Sequence, residues 1–206
     1  MIPLHGSEKV VCVILSGGLS SRMKFHKALL KFSDDQNFLQ HIIEIYQKAG
    51  IHNIVVVKNT NIDIADMEID HSKVCVVDNY YPDRGRLYSI QLGLGKSQGA
   101  DYCFIQNIDN PLISVDLIKN LIALKSSADY ISPEYNNIGG HPIVISSPVI
   151  KNILTLSDYK NTLRDVLQPY SRHKLITEDA NCILNINLPS DYKKVILGMN
   201  KTHTFS

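Results

Sequence analysis

Long apolar runs are missing from this sequence, and no stretch approaches the ~18 residues that a membrane-spanning helix requires. The first nine residues also lack the cationic segment and apolar segment that together mark a secretory signal peptide. Charge of one sign is not in excess either, since the formal net charge is +1. A chain balanced in this way has no general attraction for nucleic acid or for an anionic membrane. We therefore expect a cytoplasmic protein with no membrane or nucleic-acid partner, in which any anion is bound by local geometry.

Cysteines are few, and no two of them form a C-x-x-C pair. Each lies inside an apolar run, where an isolated cysteine behaves as a small hydrophobic residue. The sequence therefore predicts buried, reduced thiols at Cys12, Cys75, Cys103 and Cys182.

Short apolar runs alternate with helical patterns in the first 125 residues. The runs at 10–15, 53–57, 73–77 and 101–106 lack a period of two, which is typical of strands buried on both faces of a parallel sheet. Segments with helical character lie at 37–50 and 87–96, and a third begins at Ser114. This alternation predicts an α/β fold with three layers, built on a doubly wound, mostly parallel sheet.

The pattern is looser after about residue 130. Residues 139–146 are predicted to form a loop and a strand, 160–168 a helix, 182–187 a strand and 188–198 a helix with Pro189 in its first turn. Neither a repeat nor a linker interrupts the chain, and its length favours one domain. We therefore expect a single domain over residues 1–206.

A loop of small residues, SGGLSS at 16–21, follows the first predicted strand, and Arg22, Lys24 and Lys27 come just after it. In an open α/β sheet, ligands bind beyond the carboxyl ends of the strands. Backbone N–H groups without bulky side chains can approach phosphate oxygens closely, and Arg22 and Lys27 can neutralise the remaining charge. We interpret the segment as an anion-binding loop; a flexible glycine turn with solvated cations is the alternative.

Two further strand ends carry polar residues. Asp109 follows the strand at 101–106 and is well placed to hold Mg²⁺, which takes one or two carboxylates together with substrate phosphates. Asn185 and Asn187 end the strand predicted at 182–187, and an asparagine carbonyl there can bind the same metal. A turn for Asp109 and a helix cap for the asparagines are the alternatives.

The segment LSGGLSSRMKFHKALLKF (15–32) resembles the signature L-A-[AG]-G-x-S-x-R-M-G-x-x-K-x-L-L of the MobA-like nucleotidyltransferases. That family includes the molybdenum cofactor cytidylyl- and guanylyltransferases. Other segments of this chain resemble the family's in the same order, at 85–94, 108–113, 139–146 and 185–192. The resemblance covers roughly residues 10 to 195 and implies a Rossmann-like nucleotidyltransferase fold. It also implies a nucleotide-binding half at about 9–125 and an acceptor-binding half at about 126–198.

The resemblance assigns roles to single residues, which we carry over as expectations. The nucleotide would be bound by Leu15, Ser16, Gly17, Gly18, Ser21, Gly85 and Ser89, the phosphates by Arg22 and Lys27 as catalytic residues, and Mg²⁺ by Asp109 and Asn187.

The activity that the resemblance implies is transfer of a nucleoside monophosphate from an NTP to a phosphorylated small-molecule acceptor. Molybdopterin is a candidate acceptor, and pyrophosphate is released. Gly17 resembles the guanylyl branch, whereas the segments at 85–94 and 139–146 resemble the cytidylyl branch, so CTP is slightly favoured over GTP.

Three other functions are weighed against this one. A sugar- or alcohol-phosphate nucleotidyltransferase would use the same donor with another acceptor. A non-catalytic nucleotide sensor could use the same loop, although it would have little need for both Asp109 and Lys27. A glycosyltransferase would need a D-x-D-like metal motif, and Pro111 stands at its third position.

Overall fold

The strands of the protein form one continuous sheet. The structure, a computed structural model, describes residues 8–18, 26–65, 67, 69–70, 72–97 and 99–202. Within these ranges the strands are β1 (Val10–Ser16), β2 (Ile54–Asn59), β3 (Val74–Asn79), β4 (Tyr102–Asn107), β5 (Tyr130–Tyr135), β6 (Ile138–Gly139), β7 (Ile143–Ser146) and β8 (Arg172–Ile176). Their order in the sheet is β3-β2-β1-β4-β7-β5-β6, and β8 pairs with β5.

Helices connect these strands. The α-helices in the described part of the chain are α1 (Phe38–Lys48), α2 (Gly85–Lys96), α3 (Val115–Ala123), α4 (Ser147–Thr155), α5 (Leu163–Leu167) and α6 (Pro189–Thr202). None of the described helices has both the length and the apolarity that crossing a bilayer needs.

The sheet is parallel in its first half and mixed in its second half. β1 pairs in parallel with β2 and β4, and β2 pairs in parallel with β3. β7 is antiparallel to both β4 and β5, whereas β8 is parallel to β5. The predicted α/β fold with a mostly parallel sheet is therefore confirmed, and the antiparallel strands lie in the half where the sequence pattern is loose.

Two apolar cores cover the two faces of the sheet, which accounts for the uniformly apolar strands. In β1, Val11 and Val13 belong to the core under α2, α4 and α5, whereas Cys12 and Ile14 belong to the core under α1 and α3. Helix α2 lies close to the sheet because Gly93 has no side chain: a Cβ there would be only 3.0 Å from the nearest methyl carbon of Val57. The predicted three layers are confirmed.

Local sequence fixes where the helices of the first half begin and end. Asn37 and Gln40 form a capping box at the start of α1, in which each side chain accepts the other residue's backbone N–H. Gly50 follows α1 with a φ of +90°, a conformation that glycine adopts without strain. The Ser114 hydroxyl accepts from the Leu117 N–H and caps α3, as the sequence predicts.

The strand predicted at 182–187 is wrong. The chain there forms a short 3₁₀ turn at Ala180–Ile183, and Asn185 and Asn187 follow it in irregular structure. The cause is tertiary, because the buried Asn110 amide donates to the backbone carbonyls of Asn181 and Leu184 and holds them in a turn.

The expected burial of the cysteines is confirmed at three positions and wrong at Cys75. Cys12, Cys103 and Cys182 are buried, and burial raises the pKa of each of these thiols. Cys75 is exposed because it lies on β3, the last strand at one edge of the sheet.

Gly140 is where the turn at 180–183 packs against the sheet. A Cβ at this residue would lie 2.6 Å from the Cys182 carbonyl oxygen and 2.8 Å from its Sγ. We expect Gly140→Ala to lower the free energy of unfolding by about 1–3 kcal/mol, because a methyl group there overpacks against backbone. Gly139→Ala is the matched control, since its Cβ would meet only the flexible end of Arg172, at 3.3 Å. Equal urea midpoints for the two variants would contradict this packing.

Candidate active site

A cavity of about 400 Å³ opens where β1 and β4 end and α2 begins. Small-molecule sites in proteins have volumes of roughly 300–1,000 Å³ and in open α/β sheets lie beyond the strands' carboxyl ends. Most of the site residues expected from the sequence line this cavity, namely Leu15, Ser16, Gly17, Gly18, Lys27, Gly85, Ser89 and Asp109.

Three other expected site residues need separate statements. Ser21 and Arg22 lie in 19–25, outside the described residues. Asn187 does not line the cavity. Its side chain contacts Lys27, which does line it.

Lys27, Asp109 and Asn187 form one cluster at the cavity. The Lys27 Nζ lies 3.3 Å from Asp109 Oδ2 and donates a hydrogen bond of 2.8 Å to Asn187 Oδ1. The side chains of Lys27 and Asp109 retain only 12% and 26% of their exposure, so solvent screens this pair less than an ion pair on the surface. Two oxygen atoms from distant parts of the chain thus converge on one cation.

Backbone contacts position Asn187 beside Asp109. The Ile186 N–H donates a 2.7 Å hydrogen bond to the Asp109 carbonyl, which fastens the segment before α6 to the end of β4. The Asp191 carboxylate then accepts from the N–H groups of Asn187 and Leu188, and these two donors lower its pKa. The segment therefore has a fixed path, and it presents the Asn187 amide to Lys27.

Asp109 and Asn187 fit a divalent cation. The Asp109 Oδ1 is buried and lacks a hydrogen-bond partner among the described residues, which is unusual for a carboxylate oxygen. No described group of three or more His, Cys, Asp or Glu side chains could enclose a metal ion. One carboxylate and one amide oxygen match the way Mg²⁺ is held when a ligand's phosphates supply further oxygens.

The other side of the cavity is formed by polar groups around Gly17. Asn79 at the end of β3 is buried and donates a 3.0 Å hydrogen bond to the Ser89 hydroxyl on α2. A Cβ on Gly17 would lie 3.4 Å from that hydroxyl oxygen and 3.5 Å from the Asn79 amide nitrogen. Gly85 begins α2 with a φ of +85°, where another residue would be strained. A planar ring beside Gly17 would meet glycine backbone and small polar groups.

Similarity to known proteins identifies the family of the chain. The sequence model of the MobA-like NTP transferase domain matches residues 12–175. The chain belongs to this family. It is 25% identical over 181 residues to the molybdenum cofactor cytidylyltransferase of Escherichia coli, covering 88% of this chain and 92% of that protein. It is 27% identical over 187 residues to a probable molybdenum cofactor guanylyltransferase of Flavobacterium johnsoniae, covering 87% and 93%.

Solved structures show the same fold. The crystal structure of Rv0371c from Mycobacterium tuberculosis superposes with a TM-score of 0.78 at 20% identity, covering 92% of this chain and 98% of that one. The same protein in complex with manganese gives a TM-score of 0.74 at 18% identity, with the same coverage.

In this member of the MobA-like family, the cavity and its surroundings also include residues to which the sequence analysis assigns no role. Arg86 lines it beside Asp109, and His141 lies near both. Burial and the neighbouring Arg86 lower the pKa of His141 to about 4, so its imidazole is neutral at neutral pH. Asn79, which contacts the lining residue Ser89, is a third such residue. Arg86 and His141 lie within the segments at 85–94 and 139–146, but the resemblance assigns them no role, and Asn79 ends β3 without a pattern that could have marked it.

Proposed function

We propose that this protein transfers a nucleoside monophosphate from an NTP to a phosphorylated small-molecule acceptor and releases pyrophosphate. CTP is the preferred donor and molybdopterin the leading candidate acceptor. The observation that carries the proposal is the cavity, which combines the expected glycine-rich loop with Lys27 and Asp109. Two buried oxygens of the lining, Ser16 Oγ and Asp109 Oδ1, have no hydrogen-bond partner among the described residues. Buried polar atoms are normally hydrogen-bonded, so these two are suited to bind a polar ligand.

The nucleotide lies, in this proposal, with its base beside Gly17, Gly85 and Ser89 and its phosphates toward Lys27. The carboxyl end of β1 supplies backbone N–H groups without bulk, which suit phosphate oxygens. Ser21 and Arg22 complete this role in the segment outside the described residues. The loop after β1 and the Lys27 side chain together hold the triphosphate in one orientation. Such positioning supplies most of the catalysis in reactions of this kind.

Asp109 and Asn187 would hold a divalent cation; Rv0371c, which shares this fold, forms a complex with manganese, and this supports the use of a divalent metal. The ion, Mg²⁺ in our proposal, would supply positive charge that screens the repulsion between donor and acceptor phosphates. Lys27 lies against both of these ligands, so its ammonium is within reach of phosphates bound at the same place.

The reaction is a displacement at the α-phosphorus. An oxygen of the acceptor phosphate forms the new bond to phosphorus, and the bond to the bridging oxygen of the β-phosphate breaks. The electron pair leaves on pyrophosphate, and no proton has to move to balance the step. Lys27 and Arg22 stabilise the charge that develops on the leaving group. Preorganised cations of this kind lower the activation free energy substantially.

We also propose that the chain acts as a single domain over residues 1–206, with a nucleotide-binding half at about 9–125 and an acceptor-binding half at about 126–198. Continuity of the sheet from β3 to β6 supports one unit. The contact between Asn187 and Lys27 supports a site shared by the two halves.

The base preference is tested at Gly17. We expect Gly17→Ala to leave kcat/KM for CTP little changed, because the added methyl would make only ordinary contacts with Ser89 and Asn79. The same methyl crowds the larger guanine, and a misfit in a close pocket is worth roughly 1–3 kcal/mol, so kcat/KM for GTP should fall about 10-fold or more. Initial rates with both nucleotides decide the point. A parent protein that strongly prefers GTP, and loses that preference in the variant, would overturn the choice of CTP.

The function itself is tested by pyrophosphate release. Each of CTP, GTP, ATP and UTP is incubated with Mg²⁺ and a panel of phosphate monoesters that includes molybdopterin. We expect release only when both an NTP and an acceptor are present, and fastest with CTP. Rapid release with a sugar or alcohol phosphate, and none with molybdopterin, would replace the acceptor while retaining the enzyme class.

A further inference from the structure

Arg86 is a cation in the cavity to which the proposed chemistry assigns no task. It is the second residue of α2 and lines the cavity with Lys27 and Asp109. Its side chain is exposed toward the opening, and it makes no hydrogen bond or ion pair with any residue in the described part of the chain. A guanidinium that lines a cavity without a protein partner can hold an anionic ligand there.

The surroundings of Arg86 leave its charge uncompensated. Asp109 is close enough to favour the charged guanidinium, but its carboxylate is already paired with Lys27. His141 is neutral and contributes no charge. Among the described residues that line the cavity, two cations therefore face one carboxylate. Among these described lining residues, one positive charge is in excess, and it lies on Arg86.

The position of Arg86 separates it from the groups assigned to the donor's phosphates. The loop after β1 and Lys27 approach the cavity from the β1 side, whereas Arg86 approaches from α2, the helix that also carries the proposed base-binding residues Gly85 and Ser89. Its neighbour His141 comes from the second half, where the His141 N–H donates to the Cys182 carbonyl in the 180–183 turn. Arg86 thus lies in the electrostatic neighbourhood of both Asp109 and a residue of the second half of the chain.

We propose that Arg86 binds the phosphate group of the acceptor and forms a second anion subsite next to that of the donor triphosphate. This inference rests on the proposed function, since only a transferase needs two phosphate groups in one cavity. A guanidinium can hold a phosphate through two parallel N–H donors, which fixes both its position and its orientation. Held there beside Asp109, the acceptor phosphate is kept apart from the donor's phosphates until it attacks.

The test uses the full chain, a non-hydrolysable CTP analogue with a methylene group between the α- and β-phosphorus, and inorganic phosphate. Calorimetry first measures the affinity of the analogue with Mg²⁺. Inorganic phosphate is then titrated into protein saturated with the analogue, so that the donor site is blocked. The variants are Arg86→Gln and Arg86→Lys. The matched control is Arg84→Gln, because Arg84 stacks on Tyr81 and Tyr88 and does not line the cavity.

We expect Arg86→Gln to weaken phosphate binding to the loaded protein about 10- to 100-fold, the effect of losing a charged hydrogen-bonding partner. Arg86→Lys should recover only part of the loss, whereas Arg84→Gln should match the parent. The affinity for the CTP analogue should change little in all three variants.

Other results would overturn the inference. If Arg86→Gln weakens the analogue and leaves phosphate binding unchanged, Arg86 belongs to the donor site. If Arg84→Gln and Arg86→Gln lose the same phosphate affinity, the effect is one of general charge and there is no subsite. If the parent protein loaded with the CTP analogue binds no phosphate, the subsite does not exist. If the parent binds neither the CTP analogue nor its GTP counterpart, the proposed function fails. Arg86-dependent phosphate binding to the free protein would then remain as an anion site of another kind.

Discussion

Replacing Asp109 with alanine is expected to reduce turnover about 1,000-fold or more while the fold stays intact. The carboxylate is the charged ligand of the proposed cation site, and a metal that stabilises the transition state contributes several kcal/mol. Stability should change little, because the side chain faces the cavity, one of its oxygens has no partner among the described residues, and its backbone carbonyl still accepts from Ile186. Initial rates of pyrophosphate release across a Mg²⁺ titration give the activity, and thermal unfolding checks the fold.

Asp116→Ala is the control for this experiment. Asp116 is an exposed carboxylate in the first turn of α3, so the substitution removes the same charge outside the cavity. The control should turn over like the parent protein. Normal Mg²⁺-dependent activity in Asp109→Ala would remove Asp109 from the cation site.

Replacing Lys27 with alanine is expected to raise the activation free energy by roughly 2–4 kcal/mol, the cost of losing one preorganised stabilising group. The structure adds a second expectation, that the loss of Lys27 strengthens metal binding although it slows the reaction. The Lys27 ammonium lies on the same Asp109 and Asn187 oxygens that would bind the metal, so ammonium and metal compete for them. Without nucleotide, Lys27→Ala should therefore bind Mn²⁺ more tightly than the parent, as measured by electron paramagnetic resonance.

Lys31→Ala is the matched control, because within the described part of the chain the Lys31 ammonium donates only to the exposed Asp34 carbonyl and does not line the cavity. Both the rate and the Mn²⁺ affinity should be unchanged in it. If Lys27→Ala lowers Mn²⁺ affinity in the absence of nucleotide, the lysine supports the metal site and does not compete for it. A Lys27→Ala variant as fast as the parent would remove Lys27 from catalysis.

The first half of the fold was predictable because its helices and strands are long enough to show a clear pattern of apolar and polar residues in the local sequence. The strands at 10–15 and 101–106 lack an alternation of polar and apolar residues because helices cover both faces, and Asn37 and Ser114 mark helix starts with their own side chains. The second half is built from short elements, such as the five-residue β8, and each carries little pattern.

The turn at 180–183 shows why a local reading fails there. Residues 182–187 have the composition of a strand, but Asn110, which is more than 70 positions away in sequence, holds the carbonyls of Asn181 and Leu184. Asn187 could be named from the family resemblance, yet its distance from Lys27 follows only from this tertiary contact. Arg86 lies within the segment at 85–94 that resembles the family's, yet the resemblance assigns it no role, and its place in the cavity follows only from the structure.

Mass spectrometry of the acceptor, measured together with pyrophosphate, tests nucleotidyl transfer in this cavity most directly. Parent protein and Asp109→Ala are each incubated with CTP, Mg²⁺ and molybdopterin, with the acceptor panel in parallel. We predict that the parent forms an acceptor carrying one cytidylyl group for each pyrophosphate released, and that Asp109→Ala forms neither. Binding of CTP by the parent with no adduct and no pyrophosphate from any nucleotide and acceptor would contradict catalysis and identify a nucleotide sensor.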